Sequence, residues 1–200
     1  YNNLVLTGFL GVGKSTIGRE IARRLSVELF DMDEEIELRE LMSIAKIREL
    51  YGDSRLRTLE HELSHHASLM RRAVVVVPGA ALLDARNYRA LTETGQVVVL
   101  TSELGEALRR LHLASEQHYR DPTIRRRMLS RLRREHEIVN NPRLLHLYTT
   151  HLTIEDETDL LIKLWLTGEP EGPWFRYGPP LPIKPPQKPP VGISSRWSGG

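Results

Sequence analysis

The stretch Gly8-Phe9-Leu10-Gly11-Val12-Gly13-Lys14-Ser15 fits the spacing G-x-x-x-x-G-K-[ST], and its surroundings decide the fold. Ahead of it Leu4-Val5-Leu6 is a short apolar run that stops at Thr7-Gly8, and behind it Ile17, Ile21 and Leu25 recur at helical spacing. Strand, glycine loop and helix thus follow in the order that such a loop demands. At the chain's own residue frequencies a chance match arises roughly 0.3% of the time, so the motif is taken as a phosphate-binding loop. Glycines here let backbone N–H groups turn inward around a phosphate, and the positive end of the following helix adds to the attraction. Gly8, Gly11, Val12, Gly13, Lys14, Ser15 and Thr16 are therefore expected to bind nucleotide, with Lys14 at the β- and γ-phosphates and Ser15 on Mg2+. The expected cofactors are ATP and Mg2+.

Outward from the loop the pattern alternates. Val27 to Phe30 is a second apolar piece that ends in Asp31-Met32-Asp33, and Ile36 opens a helical stretch. Ser43 suits the N-cap of a helix over Ile44 to Tyr51, Gly52 a stop, and Asp53 the cap of the next helix. In that helix Leu56, Leu59, Leu63, Ala67 and Met70 form one apolar stripe. Ala73 to Val77 are five consecutive apolar residues, the mark of a strand buried on both faces. A helix near Asn87 to Leu91, a strand at Gln96 to Leu100 and a helix at Glu103 to Leu113 follow. The last expected pair is a strand at Leu152 to Ile154 and a helix at Thr158 to Leu166. Strands alternating with helices predict a three-layer α/β fold around five parallel strands.

Composition bounds the rest. At 200 residues and 22.9 kDa the chain suits one domain and an appendage. With no cysteine there is no disulfide framework, thiolate metal site or cysteine nucleophile. The longest apolar stretch, Ala73 to Leu83, is interrupted by Pro78 and Gly79, so no membrane span is expected. A net charge of +2 gives no reason to expect a nucleic-acid partner, although 23 of the 28 cations are arginine, the residue suited to planar anions. The chain opens at Tyr1, and the expected setting is the cytoplasm, or an organellar stroma or matrix if a targeting peptide has been removed. Residues 1–166 are read as the domain. Within it, residues 114–146 carry Arg120, Arg125, Arg126, Arg127, Arg131, Arg133, Arg134 and Arg143 with few large apolar residues, as expected of a helical lid. Residues 167–200 hold nine of the twelve prolines and six of the fourteen glycines and are read as an extended tail. Trp174, Phe175, Tyr177 and Trp197 supply it with anchors for the domain itself or for a protein partner.

The loop, Asp31-Met32-Asp33, the stretch Gly52-Asp53-Ser54-Arg55-Leu56-Arg57-Thr58-Leu59-Glu60 and the strand ending Val77-Pro78-Gly79-Ala80 together resemble the shikimate kinase family, over about residues 3 to 166. The resemblance implies a P-loop kinase fold that transfers the ATP γ-phosphoryl to a hydroxyl of shikimate or a similar small hydroxy acid. It implies Lys14, Asp31 and Asp33 as catalytic residues, Asp31 also at the metal with Ser15, and Asp33, Arg57, Gly79 and Arg143 at the substrate. Arg110 takes the family position that packs on adenine, and Glu60 supports Arg57. The chemistry agrees independently: a guanidinium meets a carboxylate fork to fork, and an aspartate beside a hydroxyl can orient it and accept its proton.

The departures matter as well. The family's Gly-Gly-Gly reads Pro78-Gly79-Ala80, which removes a backbone donor and adds a methyl group. Its Arg-Pro-Leu-Leu reads Gln117-His118-Tyr119-Arg120, and loss of an arginine on the transferring phosphate costs orders of magnitude in rate. A second reading follows from these changes and the long tail: a catalytically impaired member of the fold serving as a structural or regulatory subunit.

Other readings of single residues stand beside these. Asp31 and Asp33 suit helix caps, and Arg57 suits a surface arginine paired with Glu60 or His61. His61-Glu62-Leu63-Ser64-His65 fits the zinc signature H-E-x-x-H, for which chance alone gives about 3%. The apolar stripe of the same helix lies opposite both histidines, which predicts a solvated face and no metal.

Overall fold

The computed structural model of the chain describes residues 2–103, 105, 106, 109, 135, 137, 138 and 140–178. At its centre β1 (Asn3–Gly8) is buried at every one of its six residues. A strand covered by helices on both faces must be apolar on both, which is why Leu4-Val5-Leu6 shows no alternation. The chain then forms α1 (Lys14–Leu25), β2 (Leu29–Asp31), α2 (Met32–Glu40), α3 (Ile44–Leu69), β3 (Val74–Val76) and a 3-10 turn (Gly79–Leu83). It continues through α4 (Ala85–Thr94), β4 (Gly95–Thr101), β5 (Leu145–Tyr148), α5 (Ile154–Thr167) and β6 (Phe175–Tyr177). The sheet order is β2-β3-β1-β4-β5-β6, with the first five strands parallel and β6 antiparallel to β5. α1 packs on α5, and α3 packs on α2 and α4, so the three-layer α/β expectation holds.

Local signals explain most boundaries. The Ser43 hydroxyl accepts from the Lys46 N–H at 3.3 Å and starts α3 where the sequence suggests. α3 is broken at Gly52, whose φ of 75° and ψ of 178° belong to a region open to almost no other residue. The expected stop is thus a kink, and the helix resumes at once.

Three expectations are corrected. The sheet has six strands, because Phe175–Tyr177, inside the proposed tail, pairs with β5, and the Tyr148 N–H donates to the Trp174 carbonyl at 2.9 Å. Trp174 and Phe175 pack on the core and β6 covers what would otherwise be an open edge, while three residues among prolines carry too little periodicity to announce a strand. Second, the last parallel strand is Leu145–Tyr148, not Leu152–Ile154. Thr153 and Asp156 form a capping box that starts α5 at Ile154, and this local satisfaction of orphan N–H groups outweighs the apolar pair Leu152 and Ile154. Third, the segment expected to be lid up to residue 146 ends sooner, since Leu145 and His146 are buried strand residues. Among the described residues no helix is long and apolar enough to cross a membrane.

Buried Asn3 holds the base of the sheet together. Its Nδ2 donates to the Ala67 and Met70 carbonyls at 3.2 and 3.0 Å, and its Oδ1 accepts from the Ala73 N–H at 3.0 Å, tying β1 to the end of α3 and the start of β3. Asn3→Ala strands three backbone groups and is expected to cost about 3 kcal/mol in urea unfolding; a loss below ~1 kcal/mol refutes the clamp. His146 is buried in β5, and burial holds its pKa below the ordinary 6.5, opposed in part by the Asn141 carbonyl. The unfolded chain takes up this proton near pH 6.5 and the folded chain only lower, so stability is expected to decline as pH falls below 6.5. His146→Gln should flatten that decline in unfolding midpoints followed from about pH 7.5 to 5, and an unchanged slope counts against the assignment.

Candidate functional site

Parallel strands end on one edge of the sheet, so the segments that follow β1, β2 and β3 converge there. After β1 the loop runs into α1 through Gly13, which caps the helix without a side-chain hydrogen bond, and the first turn contains no acidic residue. The positive end of α1 is therefore offered to an anion. The Lys14 Nζ donates to the Gly8 and Phe9 carbonyls at 3.0 and 2.8 Å and closes the loop on itself.

Gly11, Val12, Gly13, Lys14, Ser15 and Thr16 line a cleft of about 740 Å3 that also takes in Asp31, Asp33 and Pro78. Its far end is walled by Glu106, Arg109, the segment Thr150 to Ile154, and Glu157. Arg110, Gln117 and Arg120 lie outside the described residues. The neighbouring Arg109 is half of an ion pair with Glu106 at 2.8 Å.

Asp31 combines both roles weighed for it. Its Oδ1 accepts from the Asp33 N–H at 3.2 Å and caps α2. Its Oδ2 is buried without a hydrogen-bond partner among the described residues. Burial raises the Asp31 pKa; the adjacent Ser15 hydroxyl partly offsets this, while the charges of Asp33 and Glu34 push the same way as burial. An orphaned carboxylate oxygen beside a hydroxyl at the phosphate loop fits Mg2+, which takes one or two protein oxygens and fills its remaining positions with phosphate and water. Among the described residues no group of three or more acidic or histidine side chains could hold a metal ion by itself. In the histidine pair of α3, His65 is exposed, and half-buried His61 has its Nδ1 2.9 Å from Asn87 Oδ1, a contact that a fully solvated face does not include.

A second cleft, of about 280 Å3, opens beside the first, and Asp33 and Pro78 border both. Arg57 and Glu60 line it, as do Ile44, Leu56, Ala80 and Leu83. The exposed Arg57 guanidinium has no ion-pair or hydrogen-bond partner among the described residues, so the expected pairing with Glu60 or His61 is not made. Gly79 is buried against Ile138 and Glu135, and it is its neighbours Pro78 and Ala80 that face the cleft. Arg143 is exposed and borders another cleft with Leu82, Tyr88 and Pro142, which shares Leu83 with the smaller cleft that Arg57 lines.

Three participants escaped the sequence. Arg48 and Asp84 border the smaller cleft, and buried Glu135 accepts from the Leu10 N–H of the phosphate loop at 2.8 Å. Arg48, four residues before Gly52, belongs to no motif of the sequence; Glu135 reaches across 125 residues, beyond any local pattern.

A family model described as shikimate kinase matches residues 10–161. The shikimate kinase of Geobacter sulfurreducens is 44% identical over 109 residues, which are 54% of this chain and 60% of the relative. That of Caldicellulosiruptor bescii is 37% identical over 109 residues, 54% of this chain and 63% of the relative. The matched part thus spans about three fifths of these curated relatives. Among solved structures, shikimate kinase from Acinetobacter baumannii in complex with shikimate has a TM-score of 0.67 at 24% identity, covering 85% of this chain and 96% of that one. A gluconokinase from Sinorhizobium meliloti 1021 follows the same fold at a TM-score of 0.53 and 18% identity, over 81% of this chain and 90% of that one.

The buried, partly orphaned carboxylate of Asp31 separates a functional role from a structural one. Asn keeps the cap and removes the buried charge, so Asp31→Asn is expected to leave the melting temperature unchanged or higher while raising the Mg2+ needed for half-maximal nucleotide binding about ten-fold. A fall in melting temperature with an unaltered Mg2+ titration would make Asp31 a cap only.

Proposed function

The chain belongs to the shikimate kinase family, and from that premise we propose that it transfers the γ-phosphoryl group of ATP to a hydroxyl of shikimate or a similar small hydroxylated carboxylate. What carries the reading is the junction of the two clefts: Asp33 and Pro78 border both, so a nucleotide on the loop and an acceptor in the smaller cleft meet there.

Each residue then has a task. The N-terminus of α1 and the Lys14 ammonium hold the β- and γ-phosphates, and Lys14 gives up its bonds to the Gly8 and Phe9 carbonyls to do so. Ser15 and Asp31 would hold Mg2+, which when bound would neutralise phosphate charge. Arg57 takes the acceptor carboxylate as a fork-to-fork pair and so sets the hydroxyl toward the junction. Asp33 orients that hydroxyl and accepts its proton as the oxygen bonds to the γ-phosphorus and the bond to the bridging oxygen of ADP breaks. Little covalent chemistry is asked of the protein; positioning and charge supply most of the acceleration.

ADP release from ATP and Mg2+ is expected to rise on addition of shikimate, and Arg57→Ala should raise the acceptor KM roughly 10- to 100-fold, the worth of a charge-assisted pair. No stimulation by shikimate, or an acceptor KM untouched by Arg57→Ala, would sink the proposal.

A further inference from the structure

In an unbroken helix residues five apart lie about 140° apart around the axis and cannot meet. Arg48 and Asp53 are five apart on α3, yet the Arg48 Nε lies 2.7 Å from Asp53 Oδ1. The kink at Gly52, where φ and ψ leave the helical region, lies between the two residues and releases them from that 140° separation. Nothing lies within 4 Å of where a Cβ would sit on Gly52, so the glycine is required by its backbone angles and not by crowding. Both side chains of the pair line the smaller cleft and are about one-third to two-fifths exposed.

The charges around that cleft sort into classes. Asp84 is answered by Arg86 at 2.8 Å, and Arg48 by Asp53. Asp33 stands at the junction with the nucleotide cleft, and Glu60 is buried at the wall. Arg57 is the cation that has no partner among the described residues. One unanswered guanidinium calls for one carboxylate. A second carboxylate accepting from the remaining Arg48 donors would bring its negative charge up against that of Asp53. Hydroxyl groups both donate and accept, so they can meet Asp53 oxygens and the remaining Arg48 N–H donors with the pair intact. Ile44, Leu56, Ala80 and Leu83 offer an apolar wall to the carbon skeleton of such a molecule.

We propose that the Arg48–Asp53 pair, brought together by the Gly52 kink, determines acceptor specificity: it selects a polyhydroxylated monocarboxylate by binding hydroxyls remote from the one phosphorylated, and it rejects dicarboxylates. The inference rests on the acceptor cleft of the proposed function.

Its test compares shikimate, a trihydroxy monocarboxylate, with malate, a hydroxylated dicarboxylate, as acceptors for the full chain with ATP and Mg2+. The wild type is expected to use shikimate and discriminate against malate. Arg48→Met and Asp53→Asn should each raise the shikimate KM about ten-fold with kcat changed less than about two-fold. Asp53→Asn also releases Arg48 as a second cation and should narrow the shikimate-to-malate ratio of kcat/KM by about ten-fold. Asp53→Asn preserves side-chain shape and keeps the comparison decisive if Arg48→Met does not fold. A lowered melting temperature with both acceptor KM values at wild-type level would make the pair a helix staple and overturn the inference alone. A wild-type protein that phosphorylates neither acceptor, and binds neither by calorimetry, would instead defeat the proposed function and the inference with it.

Discussion

The backbone pairing of β1 on both sides is the constraint on which the rest depends. Leu4, Val5 and Leu6 are in register with Val74, Val75 and Val76 of β3, and at the same time with Gln96, Val97 and Val98 of β4. A strand held on both edges cannot slip without moving its whole side-chain set to the wrong face. Its last residue, Gly8, runs so close to β4 that a Cβ there would lie 2.2 Å from the Leu100 carbonyl oxygen. The phosphate loop therefore starts from a fixed point, and α1 presents its positive end from a fixed direction.

Because β2 and β3 run parallel to β1, their ends arrive at the same edge. Asp31 closes β2 and Asp33 opens the first turn of α2, while Pro78 follows β3. The convergence comes at a cost to stability: a carboxylate oxygen of Asp31 is buried without a hydrogen-bond partner among the described residues, and α1 starts without a side-chain cap. Both are defects in a purely structural account and assets where an anion and its metal are to be held. The base of the sheet, by contrast, is fully satisfied where Asn3 bridges β1, α3 and β3. Stability and the proposed binding thus fall at opposite ends of the strands.

Some of this was legible in the residues and some was not. The loop, the Ser43 cap and the apolar run Ala73 to Val77 are local signals that depend on neighbours a few residues away; α1 and the cap start where expected, and the strand occupies Val74–Val76 within that run. The fifth strand was displaced because Leu152 and Ile154 looked like a strand while Thr153 and Asp156 were closing a helix cap around them. The sixth was hidden by its shortness and by the prolines around it. Arg143, which the resemblance puts at the substrate, borders another cleft that meets the smaller one at Leu83. Arg48 gave no signal, since its meeting with Asp53 exists only after Gly52 bends the helix.

By itself, then, the sequence determined the proposed nucleotide end of the protein: the backbone N–H groups and the one lysine proposed to hold phosphate lie within eight consecutive residues, and such a site travels with its own motif. Only the tertiary structure decided the acceptor end. There Asp33, Arg48, Asp53, Arg57, Pro78 and Ala80 come from three separate segments, and the balance of charge among them depends on side-chain pairings that no spacing records. The same holds for the edge of the sheet, where β6 is stabilised by β5 and not by any preference of its own three residues.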